Sequence, residues 1–418
     1  MDGVMAGTAD HQGLAPHLRH ARRPFGPAGA TERVGFDYAH GSGFYVGNWN
    51  SNVSGNQYNN GAGLEMDFYG GYKFAPVTDF NTFVLGDHRI NNNDVYGRMA
   101  IGGNAITREG QRGTWDEQLA NARVVAGELV ALKRHGHEIV LTHGNGPQVG
   151  ALHLQHDLAA GHAPPLPLDA LVAMTQGQLG YLLQTAIEEL DPSVPTVTVL
   201  TRVRVDPTDP SFGEPTKPIG TFYSEEEARR LERDRGFVVA PDSGRGWRCV
   251  VASPQPLQIV EFESVLALVE RGALVIAAGG GGIPIGGGAD RPTGVEAVID
   301  KDRASAALAL ATEADLLAML TGVEHVAIDY GTRWQRDMAR LTVSDAARLL
   351  DEGEFPPGSM GPKVESAARF VRGGGRAAVI TCADRLLAAV ERGGGTRVVP
   401  DGEGPSEGVP TAGEAVPA

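Results

Sequence analysis

Cysteine is scarce in this chain. Only Cys249 and Cys382 occur among 418 residues, and neither stands in a C-x-x-C or a Cys/His cluster, so no disulfide framework and no zinc site is expected; two isolated thiols suit a reducing compartment. Long apolar runs are also missing. No stretch of about 18 uninterrupted apolar residues occurs and no h-region opens the chain, so it is expected to be unexported, soluble and cytoplasmic, with no membrane partner. Positive charge is short as well: 36 Lys and Arg against 51 Asp and Glu leave a net charge of -15, which argues against nucleic acid or an anionic membrane surface as the partner and favours small-molecule chemistry. No G-x-x-x-x-G-K-[ST] run occurs, which argues against a P-loop enzyme.

What is present divides into two compositions. Residues 1–98 hold 14 of the 26 aromatics and 10 of the 13 asparagines, so a boundary is read near residue 98. Within this segment Leu64, Met66, Phe68, Tyr72 and Phe74 alternate with Glu65, Asp67 and Lys73, the period-2 pattern of a half-buried strand, and hairpins are expected. The stretches GFDYAHGSGFYVGNWNSNV and GLEMDFYGGYKF resemble a family of bacterial outer-membrane β-barrel proteins. A membrane barrel needs at least about eight strands and an export signal, so the segment 1–97 is read as an unrelated extension, a barrel-like fragment or fusion relic, β-rich or disordered.

From Met99 the texture changes to apolar runs followed by helical patterns, the alternation of βαβ units on a parallel sheet, and the fold class is α/β. One strong helix is expected over Trp115 to His135, with Leu119, Val124, Leu129 and Leu132 as its apolar stripe and Gly136 as its stop. Buried strands are expected at Glu138 to Thr142, Thr196 to Leu200, Ala273 to Ala278, Asp315 to Leu320 and Ala377 to Thr381. The tail 401–418, rich in Gly, Pro and Glu, is expected to be disordered.

Three glycine-rich segments stand at strand ends: GGNAI from Gly102, HGNGPQVG from His143 and GGGGIPI from Gly279. Glycine lets the backbone approach an anion, and a following helix adds the positive end of its dipole, so strand, glycine loop and helix together bind phosphate. Each could be a plain turn, but three such loops converge on one crevice if their strands are neighbours. Positive charge beside such loops would favour a bound phosphate, and three lysines stand out: Lys217 between two prolines in PTKPIG, Lys301 at a predicted helix start in VIDKD, and Lys363 after Pro362 at another in GSMGPK.

In this order GGNAI, LTHGNGPQVGAL, VAMTQGQLGY, PTKPIG, DSGRGWRCVVASPQP, GGGGIPI, GVEAVIDKDRAS, LLAMLTGVEHVAIDYG and FPPGSMGPKVESAARFV resemble the carbamate kinases, over about residues 99–400. The resemblance implies the amino-acid kinase fold, a three-layer αβα sandwich on a mainly parallel open sheet, with a lid over about residues 205–255. It implies reversible transfer between ATP and carbamate, with ATP/ADP and Mg²⁺ as cofactors, carbamate or carbamoyl phosphate as substrate, arginine metabolism as the setting, and a homodimer. By the same resemblance Lys301 and Lys363 would contact the nucleotide phosphates and the transferred phosphoryl, Lys217 would reach carbamoyl phosphate, and Asp302 would orient the lysines, which a carboxylate between ammonium groups can do. Gly102, Gly103, Asn104, Gly144, Asn145 and Gly146 would hold the small substrate. Gly279, Gly280 and Gly281 would shape the nucleotide side, with Tyr330 either a wall of the adenine pocket or a core tyrosine. His143 is read as a structural imidazole, and no metal ligand is assigned.

The pattern breaks once. The family carries about five apolar residues before GGNA, whereas this chain reads Tyr96, Gly97, Arg98, Met99, Ala100, Ile101. A damaged first strand, with Val95 to Ile101 in its place, is expected to cost stability. Two other readings stay open: a related amino-acid kinase acting on another small metabolite, and an inactive kinase remnant fused to a barrel fragment.

Overall fold

The computed structural model describes residues 33–39, 44–53, 63–72, 84–86, 98–103, 113–242, 246–288, 291–356, 359–404 and 407–409. The chain falls into two units, Met1–Pro76 and Val77–Ala418. In the first, strands Arg33–Ala39, Phe44–Val53 and Gly63–Tyr72 form an antiparallel meander in chain order, registered Arg33 to Ser51 and Phe44 to Tyr72. The alternating residues Leu64 to Tyr72 lie on the third strand, while Phe74 lies outside the described residues.

The second unit is an α/β sandwich. Its large sheet places side by side the strands Val326–Ile328, Arg336–Thr342, Thr396–Val399, Ala377–Cys382, Leu316–Thr321, Val84–Gly86, Arg98–Gly103, Glu138–His143, Leu274–Ile276 and Thr196–Thr198. All five expected strands are in it. Glu138–His143, Leu274–Ile276 and Thr196–Thr198 run parallel, as do Leu316–Thr321 and Ala377–Cys382. Ile139, Val140, Leu274, Leu317, Ala318, Val379 and Ile380 are all 0% exposed. Burial on both faces of the sheet is why these strands read as continuous apolar runs.

The helices are α1 (Trp115–Arg134), α2 (Gly146–Ala159), α3 (Leu168–Leu190), α4 (Glu225–Arg235), α5 (Phe262–Glu270), α6 (Lys301–Ala311), α7 (Val343–Asp351), α8 (Met360–Arg372) and α9 (Leu386–Arg392). α1 packs on α3 and α9, while α8 packs on α6 and α7, so two helical layers enclose the sheet. A Thr114/Glu117 capping box starts α1, His135 is its C-cap, and Gly136 follows with φ +89°, the left-handed turn that glycine permits. The buried stripe differs by one position from expectation: Val125 is buried and Val124 is 39% exposed. Between the large sheet's elements, strands Val239–Pro241, Trp247–Val251 and Lys217–Tyr223 form a small antiparallel sheet with α4 beside it, within the residues 205–255 where a lid is expected.

The first strand exists despite its sequence. Arg98–Gly103 runs parallel to Glu138–His143, and Met99 and Ala100 are buried at 1% and 0% exposure. Val84–Gly86 pairs antiparallel with it and also bonds to the first residues of two neighbours, Leu316 and Glu138. The backbone division therefore falls well before the compositional boundary near residue 98. The tail also departs from expectation: Ser344 donates to Asp401 through its N–H at 2.8 Å and its hydroxyl at 2.7 Å, and Glu407–Gly408 pairs with Arg336–Thr342. Disorder is thus corrected for residues 401–404 and 407–409.

Candidate active site

The three glycine loops follow three adjacent parallel strands: Gly102 and Gly103 end Arg98–Gly103, Gly144 to Gly146 follow Glu138–His143, and Gly279 to Gly282 follow Leu274–Ile276. They share the carboxyl edge of the sheet, where ligands of open parallel sheets bind. Asn104 lies outside the described residues. α2 starts at Gly146 with Asn145 as N-cap, yet the Asn145 side chain makes no capping bond; its Nδ2 donates instead to Thr175 Oγ1 at 2.9 Å.

The third loop presses directly on the second. Ala278, Gly280, Gly281 and Gly282 have φ of +47°, +65°, +89° and +89°. A Cβ on Gly279 would stand 2.3 Å from His143 Nε2, and one on Gly280 would stand 2.2 Å from Asn145 Nδ2, so glycine is required here by close approach as well as by backbone conformation. His143 is 3% exposed, and its Nδ1 lies 3.1 Å from Gly144 O. Burial, only partly opposed by that bond, lowers its pKa to about 4. It is neutral at neutral pH, as a structural imidazole should be.

The charged groups gather at the start of α6. Asp300 caps the helix through Oδ1, which accepts from Asp302 N at 2.9 Å and Arg303 N at 3.3 Å. Its Oδ2 takes the ammonium of Lys217 from the start of strand Lys217–Tyr223. Asp302 Oδ2 lies 3.5 Å from Lys301 Nζ and 3.5 Å from Lys363 Nζ, with Lys363 and Asp302 at 2% and 1% exposure. Burial by itself would raise the Asp300 pKa. Lys217, Lys301 and Lys363 more than reverse this and hold it well below the usual carboxylate range. Three lysines from three segments thus act on one carboxylate, and buried charges persist only when paired in this way.

The small antiparallel sheet is seated on α2 through strand Lys217–Tyr223. A Cβ on Gly150 would meet Gly220 N at 2.0 Å. Arg248 donates to Gly220 O at 2.8 Å and Asp242 Oδ2 at 3.2 Å, with its guanidinium 5.1 Å from the Phe222 ring centroid. Tyr330 is 65% exposed in the turn between Val326–Ile328 and Arg336–Thr342, so the core-tyrosine alternative is excluded. The sequence reasoning passed over Asp300 and Arg248, although both stand in quoted motifs. An Asp before a helical start is an N-cap signal; nothing comparable marks Arg248.

Lysines held by buried carboxylates beside glycine loops are an arrangement suited to phosphoryl transfer, in which charge and positioning do the chemistry. The profile described as "Amino acid kinase family" matches residues 99–382, and that of "Bacterial protein of unknown function (Gcw_chp)" matches residues 30–88. Carbamate kinase of Pyrococcus furiosus is 44% identical over 312 residues, covering 72% of this chain and 98% of the relative. That of Thermococcus kodakarensis is 46% identical over 310 residues, with 72% and 98% covered. The solved carbamate kinase from Giardia lamblia bound to AMP-PNP is 40% identical, has a TM-score of 0.66 and covers 72% of this chain and 96% of its own. The chain therefore belongs to the amino acid kinase family and, within it, to the carbamate kinases.

Proposed function

We propose that this chain is a phosphotransferase catalysing ADP + carbamoyl phosphate ⇌ ATP + carbamate, the carbamate then decaying to ammonia and CO₂. The observation that carries it is the cluster of Lys217, Lys301 and Lys363 around Asp300 and Asp302 at the edge of the glycine loops. A terminal oxygen of ADP attacks phosphorus, the bond from phosphorus to the carbamate oxygen breaks, and carbamate leaves. Lys301 and Lys363 stabilise charge on the moving group, Asp302 keeps them fixed, and Lys217 brings carbamoyl phosphate from the lid. Gly102, Gly103, Asn104, Gly144, Asn145 and Gly146 hold the small substrate; Gly279, Gly280, Gly281 and Tyr330 serve the nucleotide. The acceptor needs no general base, which agrees with a neutral, buried His143.

Magnesium is proposed to enter with the nucleotide. Magnesium brought by a nucleotide is held mainly by phosphates and water, with few protein ligands. Asp302 Oδ1, buried without a hydrogen-bond partner among the described residues, is an oxygen suited to it. When bound, the ion would neutralise phosphate charge.

The assembly proposed is a cytoplasmic homodimer working in arginine metabolism. Trp115 stacks on Tyr181 at 5.8 Å, and both are exposed with Met174 on the α1–α3 face, which offers a second copy an apolar contact. Sedimentation velocity checks the assembly. The reaction is tested by ATP formation from ADP and carbamoyl phosphate with the full chain and with residues 77–418. Phosphorylation of acetylglutamate or a nucleoside monophosphate instead would assign another amino acid kinase activity; no turnover of any of these would mark an inactive remnant.

A further inference from the structure

Two consecutive residues of α3, Thr175 and Gln176, stand in the VAMTQGQLGY segment, are buried at 0% and 1% exposure and have been given no role in the reaction. Neighbouring positions on a helix point about 100° apart, and these two reach different glycine loops. The Thr175 hydroxyl donates to Val172 O at 2.7 Å, so its proton is committed and it can only accept from Asn145 Nδ2 at 2.9 Å. That fixes which way the Asn145 amide faces at the start of α2. Gln176 Nε2 donates to Gly279 O at 2.9 Å and Thr201 O at 3.1 Å, and its Oε1 accepts from Thr201 N at 2.8 Å.

The second anchor extends one residue further. Thr201 Oγ1 donates to Val199 O at 2.8 Å and accepts from Ala278 N at 2.9 Å. The left-handed turn Ala278 to Gly282 is therefore pinned at Ala278 N and Gly279 O through Gln176 and Thr201. A buried network in which every donor and acceptor is used has one arrangement, and it rigidifies what it holds.

We infer that Thr175 and Gln176 are positioning residues that set the two substrate sites separately, Thr175 fixing the Asn145 loop for carbamoyl phosphate and Gln176 fixing the Gly279 loop for the nucleotide. The inference rests on the reaction proposed above. A shared structural role would weaken both sites together, whereas separate positioning splits the two KM values.

The experiment uses the full chain, with ADP and carbamoyl phosphate varied in turn. Thr175→Val removes the hydroxyl and should raise KM for carbamoyl phosphate about three- to tenfold, the range expected for one lost hydrogen bond, with KM for ADP unchanged. Thr175→Ser restores the acceptor and should return the wild-type value. Gln176→Met should raise KM for ADP by a similar factor and leave that for carbamoyl phosphate unchanged. Equal shifts of both KM values in each variant, or no shift in either, overturn the inference. Should Gln176→Met not fold, the Thr175 pair decides alone. Wild-type protein that forms no ATP would refute the reaction itself; an active wild type with unsplit KM values refutes only the positioning roles.

Discussion

His143 ties stability to pH by an amount that can be worked out. An exposed histidine in the unfolded chain titrates near 6.5, whereas burial lowers this one to about 4 in the folded state. Its Nε2 is buried without a hydrogen-bond partner among the described residues, so a proton there would carry charge into a site with no acceptor. Above the unfolded value both states hold the neutral ring and no penalty exists. As pH falls from about 6.5 towards 4 the unfolded chain takes a proton that the folded chain refuses, and stability is lost, by about 2 kcal/mol at about pH 5 and about 3 kcal/mol in full. The assay is denaturant unfolding of wild type and His143→Gln at about pH 7.5 and about pH 5. Removing the ring has its own packing cost, but that cost is the same at both pH values and cancels in the difference. Wild type should lose about 2 kcal/mol more than the variant on acidification. Asp300 does not intrude, because its carboxyl is held below the usual range and stays ionised throughout the window. Equal acid sensitivity of the two proteins would refute the burial argument, and a break in ATP formation near pH 6.5 that disappears in the variant would show that His143 takes part in proton transfer.

Lys301→Ala removes one aimed cation and should cost about 2.7–4 kcal/mol of transition-state stabilisation, read as kcat/KM for ATP formation; a wild-type rate would sink the role of Lys301. Asp300→Asn keeps an oxygen to cap α6 but loses the ion pair with Lys217. Because the Lys217 side chain is 23% exposed and that of Asp300 is 10% exposed, the loss should lie between those of surface and buried pairs, about 1–3 kcal/mol by denaturant unfolding. The contribution of a carboxyl with a lowered pKa is present above about pH 4 and fades as pH falls further, so the gap between wild type and variant should narrow only below about pH 4. A Cβ on Gly150 would stand 2.0 Å from Gly220 N, so Gly150→Ala should displace strand Lys217–Tyr223 from α2 at about 1–3 kcal/mol and speed proteolysis within residues 205–255. An unchanged cleavage rate would contradict that packing.

The parallel sheet was legible because burial on both faces leaves strands as unbroken apolar runs, and the runs at Glu138, Leu274, Leu316 and Ala377 are of that kind. Strand ends were less legible. Thr196–Thr198 stops short of Leu200, which is 54% exposed, because apolar character alone does not show where pairing ends. The α1 stripe slipped from Val125 to Val124 because two adjacent valines fit a helical period almost equally well. Val84–Gly86 was not expected in the large sheet at all: a three-residue strand carries no periodicity, and its pairing partners Leu316 and Glu138 are remote in sequence.

The site shows a sharper division. Lysines and glycines were readable because each carries its chemistry in its own side chain, or in its lack of one. Asp300 was half readable, as an N-cap, while its ion pair with Lys217 spans 83 positions. Thr175 and Gln176 were not readable, since they act by bonding loops 30 and 103 positions away, and a buried Thr-Gln pair on a helix looks like any polar turn of an amphipathic surface. What the fold adds to the sequence is therefore chiefly orientation. The cations and amide donors can be named from motifs, and carboxylates hold the cations, but the groups that orient the loops, Thr175 and Gln176, are uncharged side chains whose bonds exist only once the loops have been brought to them.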